Sequence, residues 1–125
     1  MRSIPAIRVV LFALAVLAAS PVPAQATDRF VSVIEDLPLM QGLVENENAA
    51  VSFETAGGRL AEAEARGNIT PAGVREFYQG VLPQLGWVMT ADGDFQRDGE
   101  RLKVDVRADG AAGAVVGFSL SPLTK

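Results

Sequence analysis

Apolar residues recur at helical spacing in one stretch of the chain, from Thr70 to Trp87. Thr70 can accept a hydrogen bond from a free N–H group in the first turn, and Pro71 suits the first helical position because proline has no N–H to leave unpaired. Gly86 is typical of the left-handed residue that ends a helix. The stretch predicts one amphipathic helix with an apolar stripe formed by Val74, Phe77, Tyr78, Val81, Leu82 and Leu85.

Pro83 interrupts this helical pattern. Proline removes one helical hydrogen bond and crowds the preceding turn. At 100° per residue it lies nearly opposite the apolar stripe, where a bend does least harm. We therefore expect the last turn to kink or fray on the solvent side.

Short runs of alternating apolar and polar residues follow the helix. Asp92-Gly93, Asp98-Gly99 and Asp109-Gly110 separate them, and Asp-Gly between alternating runs is a strong hairpin signal. One-sided alternation indicates a sheet with one buried face, and only the helix has a stripe that matches it. The runs are Trp87 to Ala91, Asp94 to Arg97, Arg101 to Arg107 and Ala114 to Ser121.

Two more segments precede the helix. Residues 49–55 place Val51, Phe53 and Thr55 on one face. Residues 59–66 have helix-favouring residue types, but so short a helix would have too little to bury, and Gly57-Gly58 before them favours a hairpin. We therefore predict a strand, and with it an α+β fold. In the predicted fold, an N-terminal signal peptide is followed by a single antiparallel sheet of order β-β-α-β-β-β, with one helix packed across one face of the sheet.

The segment 27–48 is an arm and linker with two open interpretations. In the first, it packs on the domain and covers a sheet edge. In the second, it stays partly exposed as a docking segment for another protein. The candidate partner-binding residues are Phe30, Ile34, Leu37, Leu39, Met40 and Leu43.

The first 26 residues resemble a signal peptide. Arg2 and Arg8 supply positive charge, and an eleven-residue apolar run is shorter than the roughly 20 residues that span a bilayer. Ala24-Gln25-Ala26 is a cleavage signal, so we expect cleavage after Ala26 and a periplasmic or secreted protein with no stable membrane anchor. The predicted organisation is a signal peptide at 1–26, the arm and linker at 27–48, and an α+β domain at 49–125.

The charge balance narrows the class of partner. The chain has a formal net charge of −4, and loss of Arg2 and Arg8 makes it −6. Such a charge disfavours nucleic acid and anionic membrane surfaces. The late basic residues alternate with acidic ones, which is typical of a solvated face.

The residue types also limit the chemistry. The chain has no histidine and no cysteine, which excludes Ser-His-Asp and Cys-His sites, thiolate redox chemistry and the usual zinc, copper and haem ligand sets. The acidic run from Asp92 to Glu100 superficially resembles a calcium loop, but Arg97 and Lys103 occupy its glycine and final acid positions. We therefore expect no enzyme activity, no catalytic residue, no metal and no cofactor. Tyr78 and Trp87 are the candidates to line a cleft.

Two segments resemble a group of small exported bacterial proteins of unknown function. They are Pro38-Leu39-Met40-x-Gly42-Leu43 and the helix with Phe77-Tyr78, Leu82-Pro83 and Leu85-Gly86-Trp87. The resemblance covers about residues 37 to 121 and implies a helix before a short antiparallel sheet, with no catalytic residue carried over. The function predicted is a non-enzymatic, protein-binding or accessory module of the cell envelope, with another envelope protein as its partner. The alternative is a small-molecule or lipid-binding module with a cleft between helix and sheet.

Overall fold

The computed structural model describes residues 29–123, so the predicted signal peptide at 1–26 lies outside the described residues. Among these residues, seven strands form one antiparallel sheet and one α-helix packs on it, which confirms the predicted α+β class. The elements are β1 (Val44–Glu45), β2 (Val51–Thr55), β3 (Gly58–Gly67), α1 (Pro71–Val81), β4 (Val88–Met89), β5 (Phe95–Arg97), β6 (Glu100–Asp109) and β7 (Gly113–Pro122).

The sheet runs in the order β3-β7-β6-β5-β4, and both β1 and β2 pair with the outer side of β3. The predicted order had two strands before the helix and three after it, whereas three precede it and four follow it. β1 was not predicted because two residues are too few to show alternation. β4 lies within the predicted run Trp87 to Ala91, which the order with three strands after the helix did not count separately. The ambiguous segment 59–66 lies within β3, which confirms the prediction of a strand.

The ends of α1 follow the predicted signals. Thr70 Oγ1 accepts a hydrogen bond from the N–H of Gly73 at 3.1 Å, and Pro71 is the first helical residue. The helix ends at Val81, one 3₁₀ turn follows at Pro83–Leu85, and Gly86 has a φ of 96°. Two residues of the predicted stripe, Leu82 and Leu85, therefore lie beyond the α-helix, and of these Leu82 is still buried whereas Leu85 is 37% exposed.

The buried face of the sheet has two covers. The helix of eleven residues is about 16 Å long, whereas the ten-residue strands β6 and β7 are about 33 Å long. Residues 31–43 supply the second cover, so the expectation that only the helix matches this face was wrong. The core residues of this segment are Val31, Ile34, Leu37 and Leu43, all at most 3% exposed.

The arm therefore belongs to the same packing unit as the sheet. The interpretation in which it packs on the domain agrees with the structure, because four arm residues share one hydrophobic core with the sheet and the helix. Three alanines of β3 line the buried face and let the covering segments approach closely. They are Ala61, Ala63 and Ala65.

The opposite face of the sheet, here called the open face, carries mainly polar side chains. Glu62 and Glu64 of β3 point there, opposite Ser119 and Gly117 of β7. Val115 is the buried apolar residue on this face, and its register places it between Arg66 and Arg107, whose aliphatic stems can cover it. Within residues 29–123, no helix is long and apolar enough to cross a membrane.

Candidate functional site

The arm residues predicted to bind a partner lie mostly inside the protein. Ile34, Leu37 and Leu43 are buried in the core, and Leu39 and Met40 are half-buried against it. Phe30 is the exposed member at 50%, although its backbone pairs with Pro38. Three of the six predicted residues are therefore buried, two are half-buried and one is exposed, so they do not form one exposed surface.

Tyr78 attaches the arm to the helix. Its side chain is 1% exposed, and its hydroxyl donates to the carbonyl oxygen of Pro38 at 2.8 Å and accepts from the N–H of Met40 at 3.1 Å. Burial raises the pKa of the Tyr78 phenol to about 12, because the charged form would lose its hydration. Tyr78 is thus a neutral structural group at ordinary pH.

Two arginines attach the middle of the arm to the sheet. Arg59 of β3 donates to the Glu35 carboxylate at 3.1 Å. Arg97 of β5 donates to the Asp36 carboxylate at 2.6 Å and to the Leu85 carbonyl at 2.9 Å. The Glu35 pKa is lowered by hydrogen bonds from the backbone and from Arg59. These contacts account for both arginines as structural groups.

The two cleft candidates do not line a common cleft. Trp87 is 2% exposed, with the Arg97 guanidinium stacked 4.4 Å from its ring centroid. Tyr78 borders a groove of about 190 Å³ between α1 and strands β4, β5 and β6, and Trp87 is not part of that groove. This volume is below the roughly 300 Å³ at which ordinary ligand pockets begin.

An apolar edge of the sheet stands out instead. The outermost strand β2 pairs with β3 on one side and has no strand on its other side within the described residues. Val51 and Phe53 are 47% and 53% exposed, and their register opposite Glu62 and Leu60 places them on the open face. We call this strand, Val51–Thr55, the β2 edge.

Sequence reasoning identified the alternation in β2 but did not single out Val51 and Phe53 as a site. The length of the hairpin loop could have revealed their exposure. Its two-residue loop pairs Thr55 with Gly58, and this register places Phe53 on the glutamate face of β3 and not on its alanine face. A glutamate face is solvated, so the register implies that both apolar side chains of β2 are exposed.

The described residues contain no group of three or more acidic side chains placed to hold a metal ion. No protein-family model, curated protein or solved structure matches the chain. The function must therefore be inferred from the chain's own surface. Both edge strands expose apolar residues, Val51 and Phe53 on β2 and Val88 and Met89 on β4, and β2 is the longer edge, with five residues against two.

Proposed function

We propose that the protein is an exported, non-enzymatic module that binds an extended segment of another envelope protein by adding a strand to the β2 edge. The observation that carries the proposal is the exposure of Val51 and Phe53 on an edge strand. Sheet edges attract further strands because their N–H and C=O groups lack partners, and peptide recognition by strand addition uses this property.

The sequence of the β2 edge supports this proposal. Soluble proteins commonly protect edge strands with lysine, proline, a bulge or a covering segment. The segment from Val51 to Thr55 contains neither lysine nor proline, pairs with β3 in continuous register, and carries one charged residue, Glu54. At five residues it is about 17 Å long, enough to form a ladder with a partner segment of similar length.

The alternative, a small-molecule or lipid-binding module, has less support. Its two predicted cleft residues, Tyr78 and Trp87, are buried in the core. The groove between the helix and the sheet is also small, at about 190 Å³. Protein binding at the β2 edge needs no such cavity, since main-chain hydrogen bonds supply much of the affinity.

Site-specific photocrosslinking in intact cells tests the proposal. Phe53 is replaced by a photoreactive phenylalanine analogue, and Val88 by the same analogue as the matched control. Val88 is exposed on the open face of β4, at the opposite edge of the sheet. We expect an adduct with a different protein from position 53 only, with the adduct mapping to one short segment of that protein.

A second measurement identifies the mode of binding. The captured segment, added as a purified peptide, is expected to slow amide hydrogen exchange in β2 and not in β4. Equal adducts from Phe53 and Val88, adducts between two copies of the chain, or no adduct from Phe53 would each contradict strand addition by another protein. Export is tested separately, by finding a mature chain that begins at Thr27 in the periplasmic or secreted fraction.

A further inference from the structure

The β2 edge is apolar, and the stretch of chain that contains it is acidic. From Val44 to Gly58 the chain has three glutamates and no lysine or arginine. These glutamates are Glu45, Glu47 and Glu54, and only Glu45 has a side-chain hydrogen-bond partner among the described residues, the Ser32 backbone and hydroxyl. Glu62 adds a fourth carboxylate, because it lies opposite Val51 on the neighbouring strand. The surface offered to a partner strand is therefore negative.

Basic side chains close to this edge are engaged elsewhere. Arg59 contacts Glu35 and Glu100, and Arg66 contacts Glu64 and Asp109. Glu54 lies opposite Arg59 in the ladder, but that guanidinium points to the arm and to β6. The carboxylates along the β2 edge are thus left without a cation of their own.

This charge disfavours a second copy of the chain as the partner. Pairing β2 with the β2 of another copy would bring two acidic edges together. Pairing it with the β4 edge would bring it no cation, since the segment from Pro83 to Asp94 contains two aspartates and no basic residue. Like charges across an interface are unfavourable and suppress wrong partners.

The two faces of β2 carry different side chains, and this difference predicts the order of residue types in a partner strand. Val51, Phe53 and Thr55 project to the open face, whereas Ser52 and Glu54 project to the other face. Neighbouring residues of two paired strands share a face, so each partner side chain meets either the apolar row or the carboxylate. A shift of register by one residue would reverse this match.

We propose that the partner segment is a cationic strand in which apolar residues alternate with lysine or arginine. This inference rests on the proposed function and names its partner by chemistry. The apolar residues of the segment pack over Val51 and Phe53 on the open face. Its basic residues project to the other face of β2, where they lie beside Glu54.

Titration with defined peptides tests the charge pattern. The first peptide is a short alternation of valine and lysine, and the second alternates valine and glutamate. The third has the valine–lysine sequence with every backbone amide methylated, which keeps its charge but removes the N–H groups that strand pairing needs. We expect only the first peptide to slow amide exchange in β2, with binding that weakens as salt is raised from about 0.05 to 0.5 M.

Two matched variants test whether the carboxylate of the β2 edge binds the peptide. Glu54→Gln is expected to weaken binding of the valine–lysine peptide about threefold, as for the loss of one exposed ion pair. Glu76→Gln removes an exposed carboxylate from α1 and is expected to leave the affinity unchanged. Equal effects of the two variants would show that only the net charge matters, and would overturn the assignment to the β2 edge.

The outcomes separate this inference from the proposed function. If the valine–glutamate peptide protects β2 as well as the valine–lysine peptide, the cationic pattern is wrong and strand addition stands. The same conclusion follows if neither peptide protects β2 while the Phe53 crosslink persists. If the methylated peptide binds as tightly as the unmodified one, binding is charge attraction without strand pairing. Absence of both peptide protection and the crosslink overturns both proposals.

Discussion

The attachment of the arm by Tyr78 yields a prediction that can be worked out in detail. In Tyr78→Phe the ring and its packing remain, including the edge-on contact with Phe118 at 5.4 Å between centroids. The hydroxyl is lost, and with it the bonds to the Pro38 carbonyl and the Met40 N–H. Each bond joins residues about 40 positions apart in the chain. The substitution therefore tests whether these two long-range bonds stabilise the fold.

The expected loss follows from what the two backbone groups can do afterwards. A buried donor or acceptor left without a partner costs about 1 to 3 kcal/mol, more than the net value of an ordinary exchangeable hydrogen bond. Pro38 and Met40 are half-buried, so water can partly replace the hydroxyl and the lower end applies to each. We expect Tyr78→Phe to reduce the free energy of unfolding by about 2 kcal/mol.

The matched control is Thr55→Val, which removes a hydroxyl with the same bonding pattern in an exposed turn. Thr55 Oγ1 donates to the Gly58 carbonyl at 2.8 Å and accepts from the Gly57 N–H at 3.2 Å. Because water can replace it there, we expect a loss of about 0.5 kcal/mol or less. Urea unfolding is followed by the fluorescence of Trp87, the single tryptophan. The midpoint should fall by about 1 to 2 M for Tyr78→Phe.

A loss for Tyr78→Phe no larger than that for Thr55→Val would refute this reasoning. It would show that the arm is held by its buried apolar residues and ion pairs, with the hydroxyl contributing nothing measurable. A second observable tests the location of the effect. Amide exchange at Met40 should quicken in Tyr78→Phe and stay unchanged in Thr55→Val, since only the first variant removes the partner of that N–H.

Two further predictions concern the core and the helix. The pKa of Tyr78 is raised to about 12 from 10.0, so the unfolded chain releases the phenolic proton first. Stability should be unaffected below pH 10 and fall by about 3 kcal/mol between pH 10 and 12, a loss that Tyr78→Phe abolishes. A Gly67→Ala methyl would overlap the Gly42 carbonyl and should cost several kcal/mol in urea unfolding, whereas Gly80→Ala meets open space and should gain about 0.5 to 1 kcal/mol.

The α+β class and the predicted hairpins could be obtained from the sequence because their signals are local. Gly93, Gly99 and Gly110 all have positive φ, as expected of the Asp-Gly turns. The one-sided alternation of the β6 and β7 runs also agrees with burial, since Leu102 and Val106 of β6 and Phe118 and Leu120 of β7 all face the core. Such patterns depend on chain neighbours and on the two-residue period of a strand.

The role of the arm could not be obtained in this way. Its apolar residues fit a helix or a strand equally well, and within residues 29–43 it forms neither, apart from the isolated bridge between Phe30 and Pro38. The arm is held by Tyr78, Arg59 and Arg97, which are distant in sequence. No local pattern indicates that these residues will contact one another. The sequence therefore left docking open as an interpretation of a segment that packs into the core in the structure.

The sequence by itself determined the helix α1, its end before Pro83 and the hairpin turns. The physical reason is that caps, periodicity and turn preferences act between residues a few positions apart. Only the tertiary structure decided what remains exposed. A side chain is buried when another segment covers it, and α1 and the arm cover one face of the sheet while Val51 and Phe53 project from the other. The candidate binding site is therefore a consequence of strand register and coverage.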